Sequence, residues 1–255
     1  MPPHMRLKTN LHFHTADDPD HKIEYSLKEA IDYSASVGFN VLALTCHNYF
    51  AWNKNYADYA REKGILLIPG AEMGIERGKV SKEGFHLLIL GCHEDVENIQ
   101  TFDDVREYKK KYPEVFVIAP HPFFPGNFSL KEELEKNIDI VDAIEESWFY
   151  SKWFNRNKKA KKIAERYNLP YISTSDTHFL NFMNQHFATI KTTEHTKEAV
   201  FEAIRQKDFT NTTRRHSLIK DLLIIQGYFT LTDNLKQLRT RLQKRFSFKL
   251  KDQEV

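Results

Sequence analysis

Cysteine is scarce: Cys46 and Cys92 are the two in 255 residues. They are too few for a disulfide framework, and without paired-cysteine spacing they offer no thiolate zinc site. Long apolar runs are missing too. None approaches the roughly 20 residues needed to cross a bilayer, and the opening Met-Pro-Pro-His-Met-Arg lacks the apolar centre of a signal peptide. The expectation is a cytoplasmic protein with no membrane partner. Charge of one sign does not dominate: the formal net charge is +2, so the chain as a whole is not built to bind polyanions. The sequence also has no Gly-rich loop to cradle a phosphate, no Gly-x-Ser-x-Gly elbow and no repeat or low-complexity tract. What is present is 41% apolar and 13% aromatic content, enough for a substantial core in one large α/β domain or two small ones.

Charge is uneven locally. Lys236, Arg239, Arg241, Lys244, Arg245, Lys249 and Lys251 follow one another with no acid between Lys236 and Lys251, and a second basic run covers Lys158 to Lys162. Solvated helix faces are the plain reading. The sharper one is an electrostatic collar for a phosphate-bearing or nucleic-acid substrate, which a steep salt dependence would reveal.

Short apolar runs alternate with helical stretches. Ser26-Leu-Lys-Glu29 has the form of a capping box, followed by an apolar stripe that Gly38 ends. Strands are expected at 41–45, 65–69, 86–90, 115–119, 138–144 and 169–173, with helices at 53–63, 98–112, 130–137, 153–167 and 197–207. That rhythm is one of βα units and a parallel sheet.

The most informative residues are imidazoles and carboxylates at the ends of these runs. In an extended Leu7 to Phe13, His12 and His14 project to one side because the side-chain period is two, and both can reach one ion. Asp176 and His178 repeat that pairing late in the chain. Between them come His47, Glu72, His86 and His121. All but His86, which begins its run, sit at or just past the carboxyl end of a different expected strand. Convergence from many strands favours a closed barrel over an open sheet, whose site concentrates in one crevice. The series reads as the ligand set of a multinuclear metal centre.

As an ordered set, His-x-His-Thr, Thr-x-His, Gly-x-Glu, a lone His, Pro-His-Pro and Ser-Asp-x-His resembles the polymerase and histidinol phosphatase (PHP) superfamily over Leu7 to Phe179. The resemblance implies a distorted seven-stranded (β/α) TIM-like barrel across 1–210; it fades after about Phe209, where the sequence itself suggests a C-terminal helical extension over 211–255, expected to pack on the barrel. It implies up to three divalent transition-metal ions, zinc, manganese or iron. His12 and His14 would hold one with Glu72 and Asp176; Glu72 would bridge to a second held by His86 and His121; His47 and His178 would hold the third. The loop ligand for the third is ranked Asp18, then Asp20, then His21. Cys46 stands where the family often has Asp.

The implied activity is metal-dependent phosphoester hydrolysis, in which closely spaced ions deprotonate a water and neutralise the phosphoryl oxygens, with Glu72, Asp176 and His178 as catalytic residues. Substrates in range are a nucleotide, a small phosphometabolite or a short nucleic acid. Phe123 and Arg215 are the expected substrate contacts, and Glu145 or Glu146 could orient a ligand histidine. The competing readings are an amidohydrolase-type C–N hydrolase, for which no strand end offers the bridging lysine, and a non-catalytic module stabilised by metal.

Overall fold

In the computed structural model, residues 4–79, 81–148, 150 and 155–214 are described. The nine strands assigned there are β1 Met5–Phe13, β2 Val41–Leu44, β3 Leu66–Ile75, β4 Phe85–Leu90, β5 Phe116–Ala119, β6 Ala143–Glu146, β7 Tyr171–Ser173, β8 Phe187–Thr192 and β9 Phe209–Thr212. They form one sheet in the order β7-β6-β5-β4-β3-β2-β1-β8-β9. Six helices accompany them: α1 Leu27–Ser36, α2 Lys54–Glu62, α3 Phe102–Lys111, α4 Glu133–Lys136, α5 Asn157–Arg166 and α6 Lys197–Arg205.

Helix starts follow local chemistry. At α1, Ser26 accepts from the Glu29 backbone N–H while the Glu29 carboxylate accepts from that of Ser26, the capping box expected there. Thr101 and Asp104 repeat the device at α3, so the helix expected from residue 98 starts later. The helix expected at 130–137 is a single turn, and β6 begins at Ala143 rather than 138, after a 3-10 turn at Ile138–Ile140.

The sheet is mixed, not purely parallel as the βα rhythm predicts. β1, β2 and β3 pair in parallel, as do β5, β6 and β7. β4 runs antiparallel to both neighbours, because the nine residues from Glu76 to Gly84 are too few for the crossover that a parallel partner needs. β3 accordingly changes partner midway, with Leu66–Pro69 against β2 and Gly70–Ile75 against β4. Gly70 sits at the change, where a Cβ would lie 2.9 Å from the Leu44 carbonyl oxygen.

The barrel interior is filled by Leu7, Leu11, Val41, Ala43, Ile68, Leu88, Phe116, Ile118 and Ile190, plugged by Val200, Phe201 and Ile204 of α6. Phe116 and Phe201 stack with centroids 5.0 Å apart. Outside, Phe13, Leu42 and Leu44 pack with α1 and α2 residues such as Ala30, Ile31 and Ala60. Leu7 and Leu11 thus face one way and Phe13 the other, although all three have odd numbers. The register explains it: Asn10 opposes Leu42 but Phe13 opposes Leu44, so β1 carries one extra residue.

The seam between β1 and β7 closes differently at its two ends. Past β7, Thr177 bridges Phe13 in parallel, and the His14 N–H donates to the Thr177 carbonyl at 3.1 Å. At the opposite end, β8 pairs antiparallel with Met5–Thr9 and carries β9 on its other edge. β9 meets β7 through side chains: Asn211 accepts from the Ser173 N–H and donates to the Tyr171 carbonyl, each at 2.9 Å, as a backbone peptide would, and the Ser173 hydroxyl donates to the Thr212 carbonyl at 3.4 Å. β9 crosses position 210, where the extension was expected to begin. The rest of that extension and its basic run lie outside the described residues, and none of the described helices is long and apolar enough to cross a membrane.

Candidate metal centre

The extra residue in β1 is the first determinant of the site. Without it His12 would share the face of Lys8 and Asn10; with it, His12 and His14 turn toward Glu72 of β3. Glu72 is fully buried and lies within its strand, not at its end. The antiparallel course of β4 explains His86: it pairs opposite Gly74, so the amino end of β4 meets the carboxyl ends of β3 and β5, which run the other way. His47 follows β2 and bridges Glu72, His121 follows β5, and Asp176 and His178 follow β7. His121 and Asp176 have left-handed backbones, with φ of 27° and 45°. Such conformations are costly for residues with side chains and collect at functional sites.

Glu72 is the hub. Its Oε2 lies 3.0 Å from His12 Nε2, 3.3 Å from His14 Nε2 and 3.1 Å from His47 Nε2. Its Oε1 lies 2.7 Å from His86 Nδ1 and 3.0 Å from His121 Nε2. Asp176 Oδ1 is 3.4 Å from the Nε2 atoms of both His12 and His14, which are 3.3 Å from each other. Three groups gather ligand atoms within 4.8 Å of one another: His12, His14, Glu72 and Asp176; His47, Glu72 and His86; and His14, His47 and His178.

Around these groups a further layer fixes ring orientation. Glu145, buried, lies 3.0 Å from His12 Nδ1 and also accepts from Thr174 Oγ1 and the His121 N–H. Asp18 Oδ2 lies 2.8 Å from Nδ1 of both His14 and His47 and accepts from the His47 N–H at 2.9 Å, while Oδ1 accepts from the N–H groups of Asp20 and His21. Asp20 faces Asn48, whose amide donates to it at 2.9 Å. The His21 ring packs edge-on to those of His47 and His178, with centroids 4.7 and 5.1 Å away.

The electrostatics follow from that layout. Burial disfavours charge on every ring, yet at His12 the carboxylates of Glu72, Asp176 and Glu145 outweigh it and raise the pKa to about 10. His14 is raised as well, against burial, by hydrogen bonds to Asp176, Asp18 and Glu72. Burial wins at His47 and His21, lowered to about 4, and at His178, lowered to about 3, each with repulsion from His14. Burial pushes the carboxyls of Glu72 and Asp176 the opposite way, but the surrounding imidazoles hold both well below the usual range.

The donor set fits divalent metal. Bonds of about 2.1 Å place neighbouring ligand atoms about 3.0–3.4 Å apart, and His12, His14, Glu72 and Asp176 are separated by 3.0 to 3.4 Å. His121 Nδ1 is buried without a hydrogen-bond partner.

Three contacts were not anticipated. The Asn10 side-chain oxygen Oδ1 accepts from the N–H groups of His12 and Ser175 and ties the bulge to the segment after β7. Trp148 donates its indole N–H to Asp176 Oδ2 at 3.3 Å. Phe128 stacks on His86 at 4.9 Å. A polar residue two positions before His12 was the available signal for Asn10; nothing marked the other two. Phe123 is buried, and Arg215 lies outside the described residues.

The chain has the PHP fold, a mixed α/β, nearly closed barrel-like sheet. Residues 154–209 match the PHP-associated family model. The chain is similar to a two-domain protein from Bacteroides vulgatus containing a predicted PHP-like metal-dependent phosphoesterase, at 19% identity and a TM-score of 0.62, covering 84% of this chain and 68% of that one. It is similar to PsfC from Pseudomonas syringae, at 14% identity and a TM-score of 0.58, covering 89% and 98%. It also resembles the lesion-specific endonuclease PfuEndoQ from Pyrococcus furiosus, at 15% identity and a TM-score of 0.59, covering 82% of this chain and 57% of that one. No curated protein matches the sequence.

Proposed function

We propose that the protein is a metal-dependent phosphoesterase whose multinuclear centre is held by His12, His14, His47, Glu72, His86, His121, Asp176 and His178. One observation carries the reading: five imidazoles divide between the two oxygens of one buried carboxylate, three at Oε2 and two at Oε1 of Glu72. A carboxylate shared in this way could hold two ions, one at each oxygen. The phosphoester chemistry described for the Bacteroides vulgatus and Pyrococcus furiosus proteins supports the assignment on a shared fold.

Divalent ions held by these residues would supply Lewis acidity toward a phosphoryl group and its attacking water. The chain's part is to position. Glu145 accepts from His12 Nδ1 and keeps Nε2 pointed at Glu72 and Asp176; Asp18 does the same for His14 and His47. With both oxygens hydrogen-bonded, Asp18 would act as an orienting group, and His21, whose ring packs edge-on to those of His47 and His178, would be the loop ligand of a third ion. Asp176 and His178 are the more exposed members, at 15% and 9% of their side chains, so substrate enters on their side. Zinc, manganese and iron(II) all suit nitrogen and carboxylate donors.

The test is metal analysis of purified protein, with turnover measured on chromogenic phosphomonoesters and diesters, mononucleotides, dinucleotides and histidinol phosphate. Bound transition metal with hydrolysis of at least one ester is expected. A metal-replete preparation inert on the whole panel overturns the proposal.

A further inference from the structure

Asn10 of β1 is fully buried, and all three hydrogen bonds of its side chain go to the two chain segments that carry the paired ligands. Oδ1 accepts from the His12 N–H at 3.3 Å and from the Ser175 N–H at 3.2 Å, while Nδ2 donates to Ser175 Oγ at 2.6 Å. Ser175 Oγ in turn donates to the His12 carbonyl at 3.3 Å and is hydrogen-bonded to Thr177 Oγ1. One amide thus holds His12 and the residue before Asp176 together. None of its bonds goes to β2 or β8, the sheet neighbours of β1.

Both ends of this tie are irregular backbone. His12 lies inside the register shift between Asn10 and Phe13, where pairing with β2 no longer keeps β1 in regular alternation. Asp176 has a left-handed φ of 45°, a conformation that persists where the surroundings over-determine it. Asn10 fixes the peptide before Asp176, and Thr177 fixes the one after. The Thr177 N–H donates to the His12 carbonyl at 3.4 Å, and the Thr177 carbonyl accepts from the His14 N–H at 3.1 Å and the Tyr25 hydroxyl at 2.9 Å. β1 and β7 are not neighbours in the sheet order, and among the described residues the Phe13–Thr177 bridge is the backbone pairing that joins these stretches. A metal centre tolerates little error, with ligand atoms held to within about 0.5 Å. Asp176 Oδ1 stands 3.4 Å from Nε2 of both His12 and His14, across the two segments that Asn10 ties.

We propose that Asn10 is a positioning residue: its amide sets the separation between the His12–His14 pair and the Asp176–His178 pair, so that one ion can be held by both. The inference rests on the metal-dependent reading above and adds to it a residue that is not itself a ligand. His47 follows β2, His86 lies at the start of β4 and His121 follows β5, and no bond of the Asn10 side chain reaches those segments. Its influence is therefore confined to the ion of His12, His14, Glu72 and Asp176, and spares that of His47, Glu72 and His86.

The experiment titrates cobalt(II) into the chelator-stripped full chain, with affinity read by competition against a chromophoric chelator and ligand geometry by the visible absorption bands. The equivalent that Asp176→Ala loses marks the ion in question, and the equivalent that it keeps is the internal reference. Asn10→Ala should bind the first at least tenfold more weakly, with altered bands, and the reference within about threefold of wild type. Ser175→Ala, which removes one hydroxyl and disturbs folding less, should show the same selective loss at about fivefold, as one hydrogen bond would. Thr101→Ala removes the cap of α3 and is the control: it lowers Tm and leaves both affinities and the bands unchanged. Equal weakening of both equivalents, or no weakening in either variant, overturns the proposal. Selective loss in a protein that hydrolyses no ester would instead overturn the phosphoesterase reading, whereas ester turnover by wild type with cobalt binding unaltered in Asn10→Ala overturns this inference alone.

Discussion

His12 Nδ1 lies 3.0 Å from Glu145 Oε1, with both side chains wholly buried. A carboxylate accepts, so Nδ1 carries the proton and Nε2 is left to bind an ion. Glu145→Gln keeps the shape and weakens that acceptor. Metal affinity should fall about 10- to 100-fold, read by competition with a chromophoric chelator, while circular dichroism stays unchanged. Unaltered affinity would mean that Glu145 serves packing alone.

Replacing Asp176 or His12 by Ala removes a group from the cluster that also contains His14 and Glu72. Esterase activity should drop below about 1% of wild type, the direction expected when bound metal carries the chemistry. The test is turnover at saturating manganese together with metal stoichiometry. Chelated wild type should melt lower than the manganese-loaded form, because an ion that binds only the folded state stabilises it.

The third ion is tested at His21 and Asp18. His21→Ala should lower the metal-to-protein ratio by one equivalent while leaving the ions at Glu72 in place. Asp18→Asn keeps the ratio at high metal concentration but loosens that one ion, since it disturbs the carboxylate beside the Nδ1 atoms of His14 and His47. Loss of an equivalent in Asp18→Asn at saturation, with none lost in His21→Ala, would reverse the two roles.

Asn211 supplies a side-chain link between β9 and β7. Asn211→Ala removes hydrogen bonds at an exposed position, worth about 1 kcal/mol. A Tm lower by about 2–4 °C is expected by calorimetry, and an unchanged Tm would show that packing closes the seam without it.

Cys46 and Cys92 are both buried, and burial raises the Cys46 thiol to about 11 and Cys92 further. Neither should react with a thiol reagent at pH 8 in the folded protein, and both should react in denaturant. Fast labelling of the native protein would contradict this packing.

Much of the centre was legible in the sequence because its ligands sit at the ends of short apolar runs, where strand alternation and Pro or Ser-Asp turns make polar residues conspicuous. His86 looked misplaced at the start of its run. It is in place because β4 runs backwards, a fact set by the length of the Glu76–Gly84 connection rather than by any residue type. The β1 irregularity was invisible for a related reason: alternation gave the right side to His12 and His14 as a pair, but nothing local marks the inserted residue that turns them inward. β8 and β9 were missed because Phe187–Thr192 and Phe209–Thr212 are short and carry exposed polar positions, and their pairing depends on the distant edge of β1. Sequence spacing cannot separate a ligand from the residue that aims it: of Glu145 and Glu146, read as orienting groups, Glu145 lies against His12 Nδ1, and Asp18, ranked first as the loop ligand, lies against Nδ1 of both His14 and His47.

The hairpin of β8 and β9 fixes when the molecule can be finished. His12 emerges early in synthesis, yet the edge of its strand stays bare until Thr192 has been made, and the last ladder waits for Thr212. A fragment ending after His178 contains the whole ligand set and still leaves half of β1 open to water. The cluster around Glu72 therefore cannot be cut out as a shorter piece with its sheet intact, because the strands that complete that sheet extend from Met5 to Thr212.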